Sequence, residues 1–375
     1  MTAPGSTDTA SAVPPSVHEN SSQYKHWRFA PQQLADLRRA ANAAAITDAR
    51  ESIQREAELS ATVPPSSIDF LSPDEEYEML NFVLVQLVPV CKKLKLGPII
   101  RATAIMFMKR FYVYKSVMDY PLKEVMATCV FLAAKVESSF VDLTRLVESI
   151  KGLSKSYIKE LEFTVCDVLK YQFWVWHPIE AAQGIYLDVQ KSNPKPDLSL
   201  LDTTKNETDM LLGQIVCTDA VLVYLPSQIS LACWWRASEK TGFPFEQAKH
   251  RYLTAPDKLP ADVLEDLKPR IHEILAILDA HTIPNKERAA QLSAKLRACR
   301  NPASSPDTKL YAHVMEERRK REMEEEEREM QAETRNAKSI QPASQAAAAG
   351  TAVKRTAAEA NLDGSDVQVK RERLG

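Results

Sequence analysis

Apolar residues recur along this chain at helical spacing, in blocks broken by proline, glycine and polar runs. The clearest block opens at Ser72-Pro73-Asp74-Glu75, with a capping serine, a proline suited to the first helical position and a glutamate placed to close a capping box. Beyond it Tyr77, Leu80, Leu84, Leu87, Val88 and Cys91 line one face. Gly97-Pro98 breaks the stripe, which restarts as Ile100, Ala104, Phe107, Met108 and Phe111. Pro121 opens a third helix running to about Lys135. It is apolar on nearly every side, and such a helix is buried on every side. A short fourth helix near Leu143–Ile150 ends before Gly152, and a fifth carries Ile158, Leu161, Val165, Val168 and Leu169. Short loops and the lack of period-two alternation predict an all-α domain of five helices.

The pattern then returns in weaker form. His177-Pro178 opens a helix to about Val189, Gln190–Asp202 reads as a linker, and Asn206 begins a long apolar helix to about Leu225. Pro226 introduces another helix, Ser227–Lys240. A shift of 104 positions lays Val125 on Ile229, Cys129 on Cys233, Phe131 on Trp235 and Ala133 on Ala237. Both helices follow a proline and interleave small residues, which let neighbours approach closely. The match is one of chemical type and is consistent with an internal duplication.

Two helices are expected to flank these repeats: Pro31–Leu59, with a thin stripe of Leu34, Leu37, Ala41 and Ala44, and Lys286–Arg297, with Ala289, Leu292 and Leu296. The predicted organisation is a disordered tail over 1–22, an aromatic segment and helix over 23–60, and repeats over 61–175 and 176–282. A C-terminal helix over 283–300 and a charged helix with a disordered tail over 301–375 complete it. The run Glu316–Glu329 offers i,i+4 pairs such as Glu316–Lys320, which predict a solvated helix. Tyr24, Trp27 and Phe29 place aromatics on an otherwise polar segment, and such a cluster docks into a groove.

Composition narrows the function classes. Net charge is −2 with no basic excess, which argues against nucleic acid as the main partner. The six cysteines are far apart and five lie in apolar helical patterns, so they read as reduced, buried thiols. The N-terminus lacks the pattern of a secretory signal, and the longest apolar run, Val125–Ala134, is too short to cross a bilayer. With nine glycines there is no phosphate-cradling loop, and no His/Cys cluster has metal spacing, so no catalytic residue, cofactor or metal is expected. His26, His177 and His272 stand in aromatic or apolar context and read as structural. Lys109-Arg110 reads as a solvated pair at a helix C-terminus rather than a phosphate site.

Lys109-Arg110-Phe111-Tyr112, Ser116-Val117-Met118 and Thr128-Cys129-Val130-Phe131-Leu132-Ala133-Ala134-Lys135-Val136-Glu137 closely resemble the transcriptional cyclins. Ser21 to Phe29, Thr218-Asp219-Ala220 and Pro226-Ser227-Gln228-Ile229 are similar to the cyclin H subfamily; a cyclin C-type chain shares the first set of motifs. The resemblance covers roughly 21–300 and implies the tandem cyclin fold. It also implies a non-catalytic subunit that holds the αC helix of a cyclin-dependent kinase in its active position.

On the same ground Lys135 and Glu162 would grip the kinase segment leading into that helix, with Val136, Glu137, Cys166, Tyr171 and Phe173 around them. Ser138-Ser139 stand where many relatives carry a second acidic residue, which weakens an acidic contact beyond Glu137. The second repeat has no matching Lys-then-Glu arrangement, so the gripping face is expected on the first alone. The implied partners are the kinase, a third assembly subunit of a CDK-activating kinase, and TFIIH in the nucleus. A TFIIB-like scaffold is the rival reading, but it would need a zinc ribbon and a basic DNA-facing surface. No paired cysteines precede Cys91.

Overall fold

A computed structural model describes residues 17–150, 152–192, 197–245 and 261–359. It falls into two units, one through Ser305 and one from Pro306. Among the described residues there is no strand.

The N-terminal arm is α1 (Ser22–His26) and α2 (Pro31–Ser60). The first repeat is α3 (Pro73–Lys93), α4 (Pro98–Tyr114), α5 (Leu122–Val136), α6 (Leu143–Ser149) and α7 (Lys155–Val168). The second comprises α8 (Pro178–Ser192), α9 (Leu198–Ile215), α10 (Ala220–Val223), α11 (Pro226–Thr241) and α12 (Ala261–Ala280). Then come α13 (Lys286–Cys299) and a 3-10 turn (Pro302–Ser304). In the second unit the described residues include one helix, α14 (Lys309–Glu359), which contains the charged run; Lys320 pairs with Glu316 at 2.9 Å and Arg318 with Glu322 at 2.9 Å.

The predicted cap of α3 is present: Ser72 Oγ accepts from Glu75 N at 3.2 Å and Glu75 Oε2 accepts from Ser72 N at 3.0 Å. Leu80, Leu84, Leu87 and Cys91 of its stripe are buried. In the first repeat α5 is the hub, packed by α3, α4, α6 and α7; in the second α11 is packed by α8, α9, α10 and α12. The aligned pairs behave alike. Val125 and Ile229, Cys129 and Cys233, and Ala133 and Ala237 are all buried, while Phe131 and Trp235 both sit half-buried at the rim.

Three expectations are corrected. The linker over Gln190–Asp202 is shorter, because α8 extends to Ser192 and α9 begins at Leu198. Asp197 caps α9 by accepting from Leu200 N at 3.1 Å, so that helix starts eight residues before Asn206. It also stops earlier, at Ile215, where Thr218-Asp219 turns the chain into the short α10. On α2 the buried face is Leu34, Asn42, Ala45 and Ala49, not one including Ala44, which is exposed. Asn42 reaches the Leu71 carbonyl and Glu76, and these bonds draw the helix round.

The six thiols are free and five are buried, with Cys166 half-buried. Burial pushes Cys91 up to about 11 and Cys233 up to about 12, which keeps both unreactive. No helix among the described residues is long and apolar enough to cross a membrane.

Candidate functional site

Helices α5 and α7 pack side by side and end the same way. At the end of α5, Ser138 N bonds the Lys135 carbonyl at 3.2 Å and Ser139 N bonds that of Ala134 at 2.8 Å, with Ser138 left-handed at φ 53°. At the end of α7, Lys170 N bonds the Asp167 carbonyl at 2.8 Å and Tyr171 N bonds that of Cys166 at 3.0 Å. Lys170 and Tyr171 are both left-handed, at φ 52° and 55°. Both are Schellman closures, made here without glycine.

The charged pair joins the last turn of α5 to the middle of α7. Lys135 Nζ donates to Glu162 Oε1 at 2.6 Å and Oε2 at 2.9 Å, bridging residues 27 apart in sequence. The lysine side chain is 50% exposed and the carboxylate 17%. Lys135 Nζ also lies 4.2 Å from the centre of the Phe131 ring. A pair this exposed contributes little to stability, about 0–1 kcal/mol.

The other predicted residues divide. Val136, Cys166 and Phe173 are half-buried, and Phe173 meets Phe107 and Tyr171 edge-on at 6.0 and 6.1 Å. Tyr171 stands 64% exposed. Glu137 faces inward instead: its Oε1 accepts from Thr103 Oγ1 at 2.6 Å, and that hydroxyl lies 2.7 Å from His177 Nε2. Burial, and secondarily the charge of Arg110, bring His177 down to about 4, so the imidazole is neutral. Sequence reasoning missed Phe140, Phe163 and Trp174, which are 92%, 74% and 69% exposed. Phe163 directly follows Glu162, off the buried stripe of α7, and that placement was the available signal for it alone.

The N-terminal aromatics pack on the chain itself. Trp27 and Phe29 are buried and Tyr24 is half-buried. Trp27 Nε1 donates to Gln172 Oε1 at 2.8 Å, and Phe29 N donates to the Leu222 carbonyl at 2.8 Å, so this short segment touches both repeats.

Lys109 and Arg110 overturn their reading as a solvated pair, for both side chains are completely buried. Lys109 Nζ donates to the Cys217 carbonyl and to Asp219 Oδ1, each at 3.0 Å. Asp219 also receives both Nη atoms of Arg38, at 2.6 and 2.8 Å. The two cations hold its carboxyl far below the ordinary carboxylate range. Arg110 reaches the Gln172 carbonyl and the Gln23 side chain, and burial lowers it to about 9. The cationic side chains of α4 thus join the arm and both repeats.

A separate cleft of about 730 Å³ lies among α3, the start of α5 and α13, lined by Met79, Val83, Leu122, Met126, Leu292 and Leu296. Neither Lys135 nor Glu162 lines it. Among the described residues no group of His, Cys, Asp and Glu could hold a metal ion.

Comparison with known proteins places this architecture. The model of the cyclin N-terminal domain matches residues 51–173, and that of the cyclin C-terminal domain matches 177–301. The chain belongs to the cyclin family. The domain boundary falls just before His177, where α8 opens the second repeat of this cyclin. It is 29% identical to Cyclin mcs2 of Schizosaccharomyces pombe over 78% of this chain and 88% of that protein. It is 27% identical to Cyclin-H of Xenopus laevis over 76% of this chain and 87% of that protein. Among solved structures it resembles a chain of the CAK complex of Chaetomium thermophilum bound to ATP-gamma-S. That match has a TM-score of 0.67 and 26% identity, over 81% of this chain and 94% of the other.

Proposed function

We propose that this cyclin is the non-catalytic regulatory subunit of a cyclin-dependent kinase, in a CDK-activating kinase of the TFIIH type. Lys135 and Glu162 would hold the segment leading into the kinase αC helix, with Val136, Cys166, Tyr171 and Phe173 supplying apolar contact. Contacts made only with the swung-in helix shift the kinase toward its active population. The cyclin contributes binding energy and makes or breaks no bond. Glu137, bonded inward to Thr103, supports this face indirectly.

The observation that carries the reading is the surface Lys135–Glu162 pair, its glutamate on a helix that also carries the exposed ring of Phe163 and closes at the exposed ring of Tyr171. The pair adds little to folding, and exposed aromatic rings favour a partner. Similarity to Cyclin-H and to a chain of the CAK complex supports the choice of kinase assembly. In that setting a third assembly subunit joins the pair, the kinase phosphorylates the RNA polymerase II C-terminal domain, and the complex is nuclear.

The test is purification of the full chain from its own cells, followed by identification of the bound kinase and its activity. Recovery with TFIIH subunits is expected, together with loss of kinase binding in Lys135→Ala/Glu162→Ala. Recovery with the Mediator kinase module, as for a cyclin C-type subunit, would overturn the assignment.

A further inference from the structure

Arg110 is a buried cation with no anion beside it. Its side chain is fully buried, and no carboxylate among the described residues pairs with it. Nη1 donates to the Gln172 carbonyl at 3.1 Å and Nη2 to Gln23 Oε1 at 3.3 Å, while Nε has no partner. The guanidinium lies 5.0 Å from the centre of the Trp27 ring. A buried charge answered only by neutral oxygens and a ring is destabilising relative to a well-packed apolar side chain. Stability alone gives no reason for arginine at this position.

Its partners show what it organises. Gln23 Oε1 also accepts from Trp176 N at 2.8 Å, and Gln23 Nε2 donates to the Trp176 carbonyl at 3.2 Å. Trp27 Nε1 donates to Gln172 Oε1 at 2.8 Å. The segment 172–176 has neither helix nor strand, so its backbone groups lack a regular ladder. Arg110, Gln23 and Trp27 pin both its ends. Next to and within that segment stand Tyr171 and Trp174, the rings that face solvent. Nothing else in this network is exposed to the same degree.

We propose that Arg110 is a positioning residue for kinase binding: acting through Gln23 and Gln172, it fixes segment 172–176 and with it the exposed Trp174, directly after the Tyr171 turn that closes the helix carrying Glu162. Trp174 then becomes a contact residue for the same partner. The arm contributes through Gln23 and Trp27, which hold that segment. The inference rests on the kinase-face reading given above.

The experiment uses the full chain and the kinase that co-purifies with it. Arg110→Met removes the donors at similar volume; Gln23→Met removes the link while leaving the arginine in place. Both are expected to raise the cyclin concentration for half-maximal kinase activation about tenfold, equivalent to one weak interface contact. The activity at saturating cyclin stays at the wild-type value. Hydrogen exchange speeds up at residues 172–176 and stays unchanged at the ends of α5 and α7. Trp234→Phe, in the second repeat, serves as a stability control that lowers Tm without moving the half-maximal concentration. A folded Arg110→Met with wild-type activation, or with unchanged exchange at 172–176, overturns the proposal. If Arg110→Met does not fold, Gln23→Met decides by the same two readouts. Activation lost in Lys135→Ala/Glu162→Ala but intact in the Arg110 and Gln23 variants sinks the positioning role alone. Activation intact in Lys135→Ala/Glu162→Ala sinks the kinase-face reading instead.

Discussion

Lys109 and Asp219, 110 residues apart, meet at 3.0 Å with the lysine wholly withdrawn from solvent. The bond crosses from the first repeat to the second, and Arg38 brings the N-terminal helix to the same carboxylate. One acidic side chain thereby ties three parts of the molecule.

Removing it leaves two cations without their anion, one of them fully buried. Asp219→Ala is expected to destabilise the fold by about 3–5 kcal/mol, the range for breaking a buried pair from one side. Urea denaturation checks this. Because the native carboxyl is held below its ordinary value of 3.8, its contribution is present above that value and is lost as pH falls below it. Asp219→Asn is therefore expected to flatten the acid limb of the stability curve relative to wild type.

His177 works in a neighbouring pH window. Its native value is about 4, against an ordinary 6.5, so the unfolded chain binds the extra proton first. The stability that neutral His177 contributes is full above 6.5 and is lost as pH falls through the range down to about 4. The loss is about 3 kcal/mol at the acid end, from some 1.4 kcal/mol per unit. Thermal melts between these two pH values measure the slope, and His177→Gln is expected to reduce it.

The Lys135–Glu162 pair calls for the opposite result. Each alanine variant is expected to change stability by about 1 kcal/mol or less, as for other exposed pairs. The exchange Lys135→Glu/Glu162→Lys restores an internal pair and near-wild-type Tm. It is not expected to restore kinase binding, because the charges presented to the partner are reversed. Wild-type activation by the exchanged protein would remove the clamp from the mechanism.

Lys170 is the simplest stability test. It is left-handed at φ 52°, a conformation that burdens a side-chain-bearing residue by about 1–2 kcal/mol. Lys170→Gly relieves this and adds chain entropy to the unfolded state, for a net gain of about 0.5–1 kcal/mol. A fall in Tm would show that the lysine makes a compensating contact at the end of α7.

Much of this molecule could be read from sequence because its signals are local. The cap at Ser72 and Glu75, the apolar run of α5 and its echo around Cys233 each depend on residues within one helix. Lys135 and Glu162 came from resemblance, and the structure adds their distance. What escaped was set by remote partners. Nothing near Lys109 announces Asp219, so a cationic pair near a helix end was read by its usual, solvated fate. The start of α9 was hidden because Asp197 caps it beside Pro194 and Pro196, whose composition reads as linker. Trp174 and Phe140 were passed over because an aromatic ring is normally counted as core, and its exposure is not written in the local sequence.

The matched turns closing α5 and α7 carry one further consequence. Backbone hydrogen bonds already fix Lys135, Ser138, Lys170 and Tyr171. These turns are therefore a finished template, and little of their freedom remains to be lost on association. On the proposed reading, the conformational change on docking falls to the kinase.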